Sequence, residues 1–249
     1  MKKNFLKTKN LAIGYKTKLL SHIDLQAAQG ELICLIGKNG SGKTGFLKTL
    51  AGILPAHSGD IIFNEVSINK LLPKKRARLI SIVMSYKVDV PVKVYDFLRM
   101  GGYLHSDLFD RMSDENNNIL DEVIADLQLE NYLNKPVNQL SDGEHQKVII
   151  GRALVQNTPV LLLDEPTTYL DLENKALTIH LLEKIAHSKN KTIIFSTHDI
   201  NLMLPKVDKI WLADANQHSI NEIKQNKIEN IFKSIGLKFD NDCNVFRLT

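Results

Sequence analysis

Cysteine is scarce in this chain of 249 residues, with only Cys34 and Cys243 present. Two thiols cannot build a disulfide framework, so a reducing compartment is the expectation. Cys34 sits in the apolar run Glu31-Leu32-Ile33-Cys34-Leu35-Ile36 and reads as a small core residue. Long hydrophobic runs are missing too. No stretch reaches the about 18 apolar residues that suggest a membrane-spanning helix, so the chain is not expected to cross a bilayer itself. The opening Met-Lys-Lys-Asn has no apolar segment behind it, and no signal peptide is expected. Charge of one sign is not in large excess: 32 Lys and Arg face 28 Asp and Glu. The basic residues are scattered among acidic ones. Their densest cluster, Lys74-Lys75-Arg76, reads as a solvated helix start, so no nucleic-acid partner is expected. Repeats and low-complexity stretches do not occur. A chain that is 43% hydrophobic and this long can bury a large core, which predicts one domain over residues 1–249.

Short β-like runs alternate with helical patterns. Ile33–Ile36, Ile80–Met84, Val160–Leu163 and Thr192–Phe195 are near-continuously apolar and read as strands covered on both faces. Residues 4–30 look like short strands joined by turns at Gly14 and Gly30, and Asp60–Phe63 adds another. Together they predict a mixed α/β sheet, antiparallel early and parallel later. Residues 87–157 are mostly helical, with helices over Val94–Met100, Asn117–Leu127 and Asp142–Leu154. This stretch reads as a helical insertion. Beyond it, Ile210–Leu212 reads as a strand, and a helix is expected over Ile220–Ile235, stopped by Gly236.

Gly37-Lys38-Asn39-Gly40-Ser41-Gly42-Lys43-Thr44 fits the phosphate-binding pattern G-x-x-x-x-G-K-[ST], between an apolar strand and the helical run Phe46–Leu50. Glycines let the backbone curl so that N–H groups converge on phosphate oxygens. The helix that follows offers its positive end to the same anion. Lys43 then reaches the β- and γ-phosphates, and the Thr44 hydroxyl is a Mg²⁺ ligand. Val160–Leu163 delivers Asp164-Glu165-Pro166 to the end of a buried strand, where ligands of open α/β sheets sit. Asp164 would hold Mg²⁺, and Glu165 would polarise an attacking water. Read alone, Asp-Glu-Pro is also an ordinary turn. Leu140-Ser141-Asp142-Gly143-Glu144 has the form of a capping box, Ser141 being the N-cap and Glu144 lying three residues on.

The last segment, with Gln146–Leu154 behind it, resembles the LSGGQ signature of ABC ATPases, with Asp142 and Glu144 as departures. The resemblance covers nearly the whole chain. Tyr15 lies where that family stacks an aromatic on adenine, although by itself it also reads as a strand aromatic. Thr167–Asp171 resembles the D-loop, with Asp171 its acidic end. Phe195-Ser196-Thr197-His198-Asp199 resembles the switch-histidine segment, and His198 by itself also reads as a helix-cap residue. One position departs further. The family's glutamine at the end of the strand entering the helical region, which touches Mg²⁺ and the attacking water, is here Ser85. A serine hydroxyl can ligate Mg²⁺ but is shorter than an amide.

The resemblance implies a P-loop ABC ATPase fold with an antiparallel β subdomain and an inserted helical subdomain. It implies ATP and Mg²⁺ as cofactors and hydrolysis to ADP and phosphate. Lys43, Glu165 and His198 would act on the reacting phosphate. Tyr15, the 37–44 loop, Ser141, Gly143 and Asp171 would hold nucleotide, and Thr44, Ser85 and Asp164 the metal. Two copies would pair, each signature segment clamping the other's ATP. Further implied partners are membrane permease subunits and, indirectly, a substrate-binding protein, with the chain peripheral on the cytoplasmic face of the plasma (inner) membrane. Val94–His105 resembles a stretch of iron-siderophore, haem and cobalamin importers, with Gly102 and Leu104 departing. The tail from Gly236–Phe239 to Phe246–Leu248 is similar to theirs. Alternatives from other classes are a soluble ABC ATPase of a non-transport machine and a weakly hydrolysing regulatory module.

Overall fold

The computed structural model describes residues 4–85, 88–105, 113–223, 237–240 and 245–248. In chain order the first half contains β1 (Asn4–Gly14), β2 (Lys18–Ile23), β3 (Gln26–Ala28), β4 (Leu32–Ile36), α1 (Lys43–Leu50), β5 (Ser58–Phe63), β6 (Val66–Ser67), α2 (Pro73–Ala77) and β7 (Ile80–Val83). Then come α3 (Val94–Arg99), α4 (Asp114–Leu127) and α5 (Asp142–Val155). The second half contains β8 (Val160–Leu163), α6 (Leu172–Ser188), β9 (Thr192–Ser196), α7 (Ile200–Met203), β10 (Lys209–Asp214), β11 (Ser219–Ile223), β12 (Leu237–Asp240) and β13 (Val245–Leu248).

The strands form separate sheets, as the antiparallel β subdomain implied by the resemblance requires, where the pattern alone reads as one mixed sheet. Six strands lie in the order β11-β10-β4-β9-β8-β7. Within it β10, β4, β9, β8 and β7 are parallel, and β11 closes one edge antiparallel to β10. A second, antiparallel sheet runs β2-β1-β5-β6, with β3 also on β1. Strand periodicity reports which faces are buried and says nothing of partners, so the two sheets were not separable from pattern alone.

The parallel strands are buried on both faces, as their apolar runs predict. On β4, Leu32, Cys34 and Ile36 face the helical side, where α3–α6 pack. Ile33 and Leu35 face the other way, onto α1 and the antiparallel sheet. The same alternation splits β8 into Leu161 and Leu163 against Val160 and Leu162. Each such side chain contributes about 1.5–3 kcal/mol on burial. Burial also pushes the Cys34 thiol well above its ordinary range, so it stays a neutral core group.

Helices α3–α5 all fall between β7 and β8, at the expected insertion. The C-terminal expectation is partly wrong. Ile220–Ile223, read as the start of a helix, is strand, with Ile220 opposite Ala213 and Ile223 opposite Ile210. A free edge on β10 offered a ladder of hydrogen bonds that outweighed local helix preference. The remainder of that expected helix lies outside the described residues.

Candidate active site

Four chain segments converge at the C-terminal edge of the parallel sheet. The first is the loop from Gly37 to Gly42, between β4 and α1. Gly42 is the N-cap of α1 and adopts a left-handed conformation, φ 97°. A Cβ there would lie 2.8 Å from the Leu20 side chain, so glycine serves both backbone and packing. Lys43 is buried, and its ammonium donates to the carbonyls of Gly37 at 2.9 Å and Lys38 at 3.3 Å. Burial lowers its pKa, while the charges of Glu165 and Asp164 partly oppose that shift. The Ser41 hydroxyl is buried with no hydrogen-bond partner. An orphaned polar atom beside a buried lysine in a glycine-rich loop fits an anion with its cation.

The second segment follows β8. Asp164 is buried and accepts from the Thr44 hydroxyl at 2.8 Å and from the Ser196 hydroxyl at 2.8 Å. Thr44 and Asp164 thus meet through oxygen atoms, the donor type a hard divalent cation such as Mg²⁺ takes. Glu165 has φ 49°, a left-handed conformation rare outside glycine. Its N–H donates to the Ser196 hydroxyl at 2.8 Å, which helps hold that turn.

The third segment is the end of β9. The His198 ring donates from Nε2 to Glu165 Oε1 at 2.7 Å. The Thr168 hydroxyl donates to the other carboxylate oxygen of Glu165 at 3.0 Å. The carboxylate is therefore aimed by two side chains. Behind it, Lys175 of α6 pairs with Asp199 at 2.9 Å, which anchors the residue following His198.

The fourth segment leaves β7. Ser85 lines a small cavity of about 30 Å³ together with Asp164, Glu165 and Asp142 of α5. The fold therefore brings Lys43, Thr44, Ser85, Asp164, Glu165 and His198 to one edge. The remaining expected site residues stand around it. Tyr15 is 63% exposed, just ahead of β2, whose Leu20 packs on Gly42. Asp171 caps α6 by accepting from the Asn174 N–H at 2.8 Å. Ser141 and Glu144 form the predicted capping box, with Ser141 N–H donating to Glu144 Oε2 at 2.9 Å. Gly143 lies against Asn174, where a Cβ would come 2.6 Å from its side-chain oxygen. Ser196 and Thr168 are the residues that motif reading named without a task. Their signal was only their place in the two motifs: Thr168 reaches back three residues to Glu165, and Ser196 reaches across from β9 to the end of β8.

Loop, paired carboxylates, histidine and capped glycine helix stand in the order and arrangement of one known architecture. The family profile described as ABC transporter matches residues 20–168. The chain belongs to the ABC transporter family. It is an ATP-binding cassette and an ATPase. An ABC transporter ATP-binding protein of Methanocaldococcus jannaschii is 38% identical over 209 residues, 83% of this chain and 72% of that protein. The iron(3+)-hydroxamate import ATP-binding protein of Bacillus subtilis is 33% identical over 200 residues, 80% of this chain and 74% of that one. A solved dimeric cassette in a post-hydrolysis state, bound to ADP and phosphate, superposes with a TM-score of 0.75 at 27% identity. It covers 88% of this chain and 98% of the other.

Proposed function

We propose that this cassette powers an importer of an iron chelate, a siderophore or haem, or of cobalamin. Hydrolysis rests on one observation above the others: the Glu165 carboxylate is held by His198 beside an Asp164 already bonded to Thr44. In the proposed reaction, backbone N–H groups of the Gly37–Thr44 loop and the Lys43 ammonium bind the ATP phosphates. Thr44, Asp164 and Ser85 would hold Mg²⁺, which when bound neutralises phosphate charge. Glu165 orients a water for in-line attack on the γ-phosphate and accepts its proton, while His198 keeps the carboxylate aimed. Tyr15 offers an exposed aromatic face to adenine.

Gly143 and Ser141 head a helix whose positive end suits the phosphate of a second copy's ATP, with Asp171 at the same boundary. The exposed Tyr169 and Leu172 flanking Asp171 suit burial in such a dimer. Among the described residues no helix is long and apolar enough to cross a membrane. The transport step thus falls to separate permease subunits, fed by a substrate-binding protein, with this chain on their cytoplasmic face. Iron-chelate cargo draws support from the hydroxamate-import relative and from the Val94–His105 stretch.

Substituting Glu165→Gln keeps the shape and removes the base. Phosphate release should fall by about 100-fold or more, while dimers accumulate with ATP and Mg²⁺ on size-exclusion chromatography. Monomers with undiminished phosphate release would overturn the assignment. For the cargo, deleting the gene should abolish growth on a ferric hydroxamate, haem or cobalamin as sole source, and unimpaired growth on all three would exclude this import role.

A further inference from the structure

His145 is almost wholly buried, 6% exposed, in the first turns of α5 and four residues beyond the Ser141 cap. Its Nε2 lies 3.0 Å from the Val88 carbonyl oxygen. A carbonyl only accepts, so the ring must donate. This contact ties α5 to Val88. Val88 stands three residues past Ser85, at the start of the segment that leads from β7 to α3. Further along, the same segment is stitched by backbone bonds to the loop that precedes α5. Val137 N–H donates to Val92 at 2.9 Å, and Val94 N–H to Lys135 at 3.0 Å. Nearer Ser85, the His145 side chain supplies a connection between this segment and α5.

The other flank of α5 is equally close. Gly143 admits the Asn174 side chain, and Asn174 belongs to the helix capped by Asp171. Where these parts meet is the cavity of about 30 Å³ lined by Ser85, Asp142, His145, Asp164, Glu165 and Tyr169. Side chains of both segments therefore face one shared cavity.

We propose that His145 is a positioning residue that couples the Ser85 side of this chain's nucleotide site to the Ser141–Gly143 segment of the same chain. That segment serves the nucleotide of the second copy, so the bond links the two sites of a dimer. The inference rests on the ATPase reading of the site. It differs from a packing role because it predicts a change in communication between sites and a rescue by the correct hydrogen-bond donor. His145→Leu removes the donor, whereas His145→Gln places an amide N–H near the Nε2 position.

The test is steady-state ATPase of the purified chain against ATP concentration with Mg²⁺, beside binding of a fluorescent ATP analogue without Mg²⁺. The wild type should give a sigmoidal curve with a Hill coefficient of about 2, the limit for two sites. His145→Leu should lower it to about 1 and cut kcat several-fold, with analogue affinity held within about twofold. His145→Gln should restore both. Should His145→Leu not fold, His145→Asn, polar but too short to reach Val88, takes its place. A wild-type coefficient of about 1, or His145→Gln behaving like His145→Leu, overturns the coupling. Failure of the underlying reading looks different: no turnover in the wild type and analogue binding unaffected by Lys43→Ala. In that event the coupling falls with it.

Discussion

Lys191, at the entrance to β9, shows how one residue can be unfavourable and yet retained. Its ammonium donates to the Thr158 carbonyl at 2.8 Å and to the Asn157 side chain at 3.3 Å. Burial, aided by the nearby charge of Lys189, pulls its pKa down from 10.5 to about 8. The sign of the consequence follows from proton counting. Below the folded value both states hold the proton and the burial penalty acts in full. Between about 8 and 10.5 the unfolded chain keeps a proton that the folded chain has released, so stability rises with pH. Compared with Lys191→Met, the wild type should gain thermal midpoint as pH goes from about 7.5 to about 10. A gap between the two that does not change with pH would show that Lys191 is not desolvated. The run Asn190-Lys191-Thr192 carries no hint of this, since a lysine ahead of a strand reads as solvated. The Thr158 carbonyl that receives it comes from 33 residues earlier.

Between elements, β8 and β9 are joined by more than their ladder. Ser196, wholly buried at the end of β9, donates to Asp164 and accepts from the Glu165 N–H. One hydroxyl thus sets the Asp164 carboxylate and holds the left-handed turn at Glu165. Ser196→Ala leaves both groups short of a partner in a buried place, a loss of about 1–3 kcal/mol in stability. Urea unfolding checks that figure. Turnover should drop further than nucleotide affinity, because the displaced groups act on the transition state. A variant with wild-type kcat would show that the turn at Glu165 does not depend on Ser196. Some helices were legible from their own periodicity and caps: α5 begins at the predicted Asp142 and Ser141 makes the predicted box, whereas α4 starts three residues before the expected Asn117 and α6 was not anticipated. The failure at Ile220–Ile223 has a different origin. Ile220 and Ile223 stand three apart, a helical spacing, and the strand that a neighbouring edge imposes buries them on opposite faces of the sheet instead.

Across the molecule, the helical insertion is clipped to the sheet body by a charged bridge. Lys189, just past α6, pairs with Glu122 at 3.0 Å and Asp126 at 2.7 Å, both on α4. These groups are partly exposed, so the bridge is worth about 0.5–1 kcal/mol in total. Lys189→Met should lower the thermal midpoint by about 1–4 °C at low ionic strength. The difference should shrink in about 1 M salt, where the screening length falls to about 3 Å. If salt leaves it unchanged, the effect comes from the lysine stem and not from its charge.

Local order was set by the sequence alone: which runs are strands buried on both faces, where α5 begins, and which glycine-rich loop joins β4 to α1. Those properties depend on neighbours a few residues apart, through side-chain period, glycine backbone freedom and capping. The family-based alignment at Ser85 also depended only on linear order. Tertiary structure decided the rest. It separated the antiparallel strands into their own sheet and turned Ile220–Ile223 into an edge strand. It placed Ser196 between two carboxylate-bearing residues and set His145 against Val88. The β10–β11 pairing is a hairpin, but the Ser196 and His145 bonds span 31 to 57 residues, and pairing of that kind is chosen by the whole packed fold.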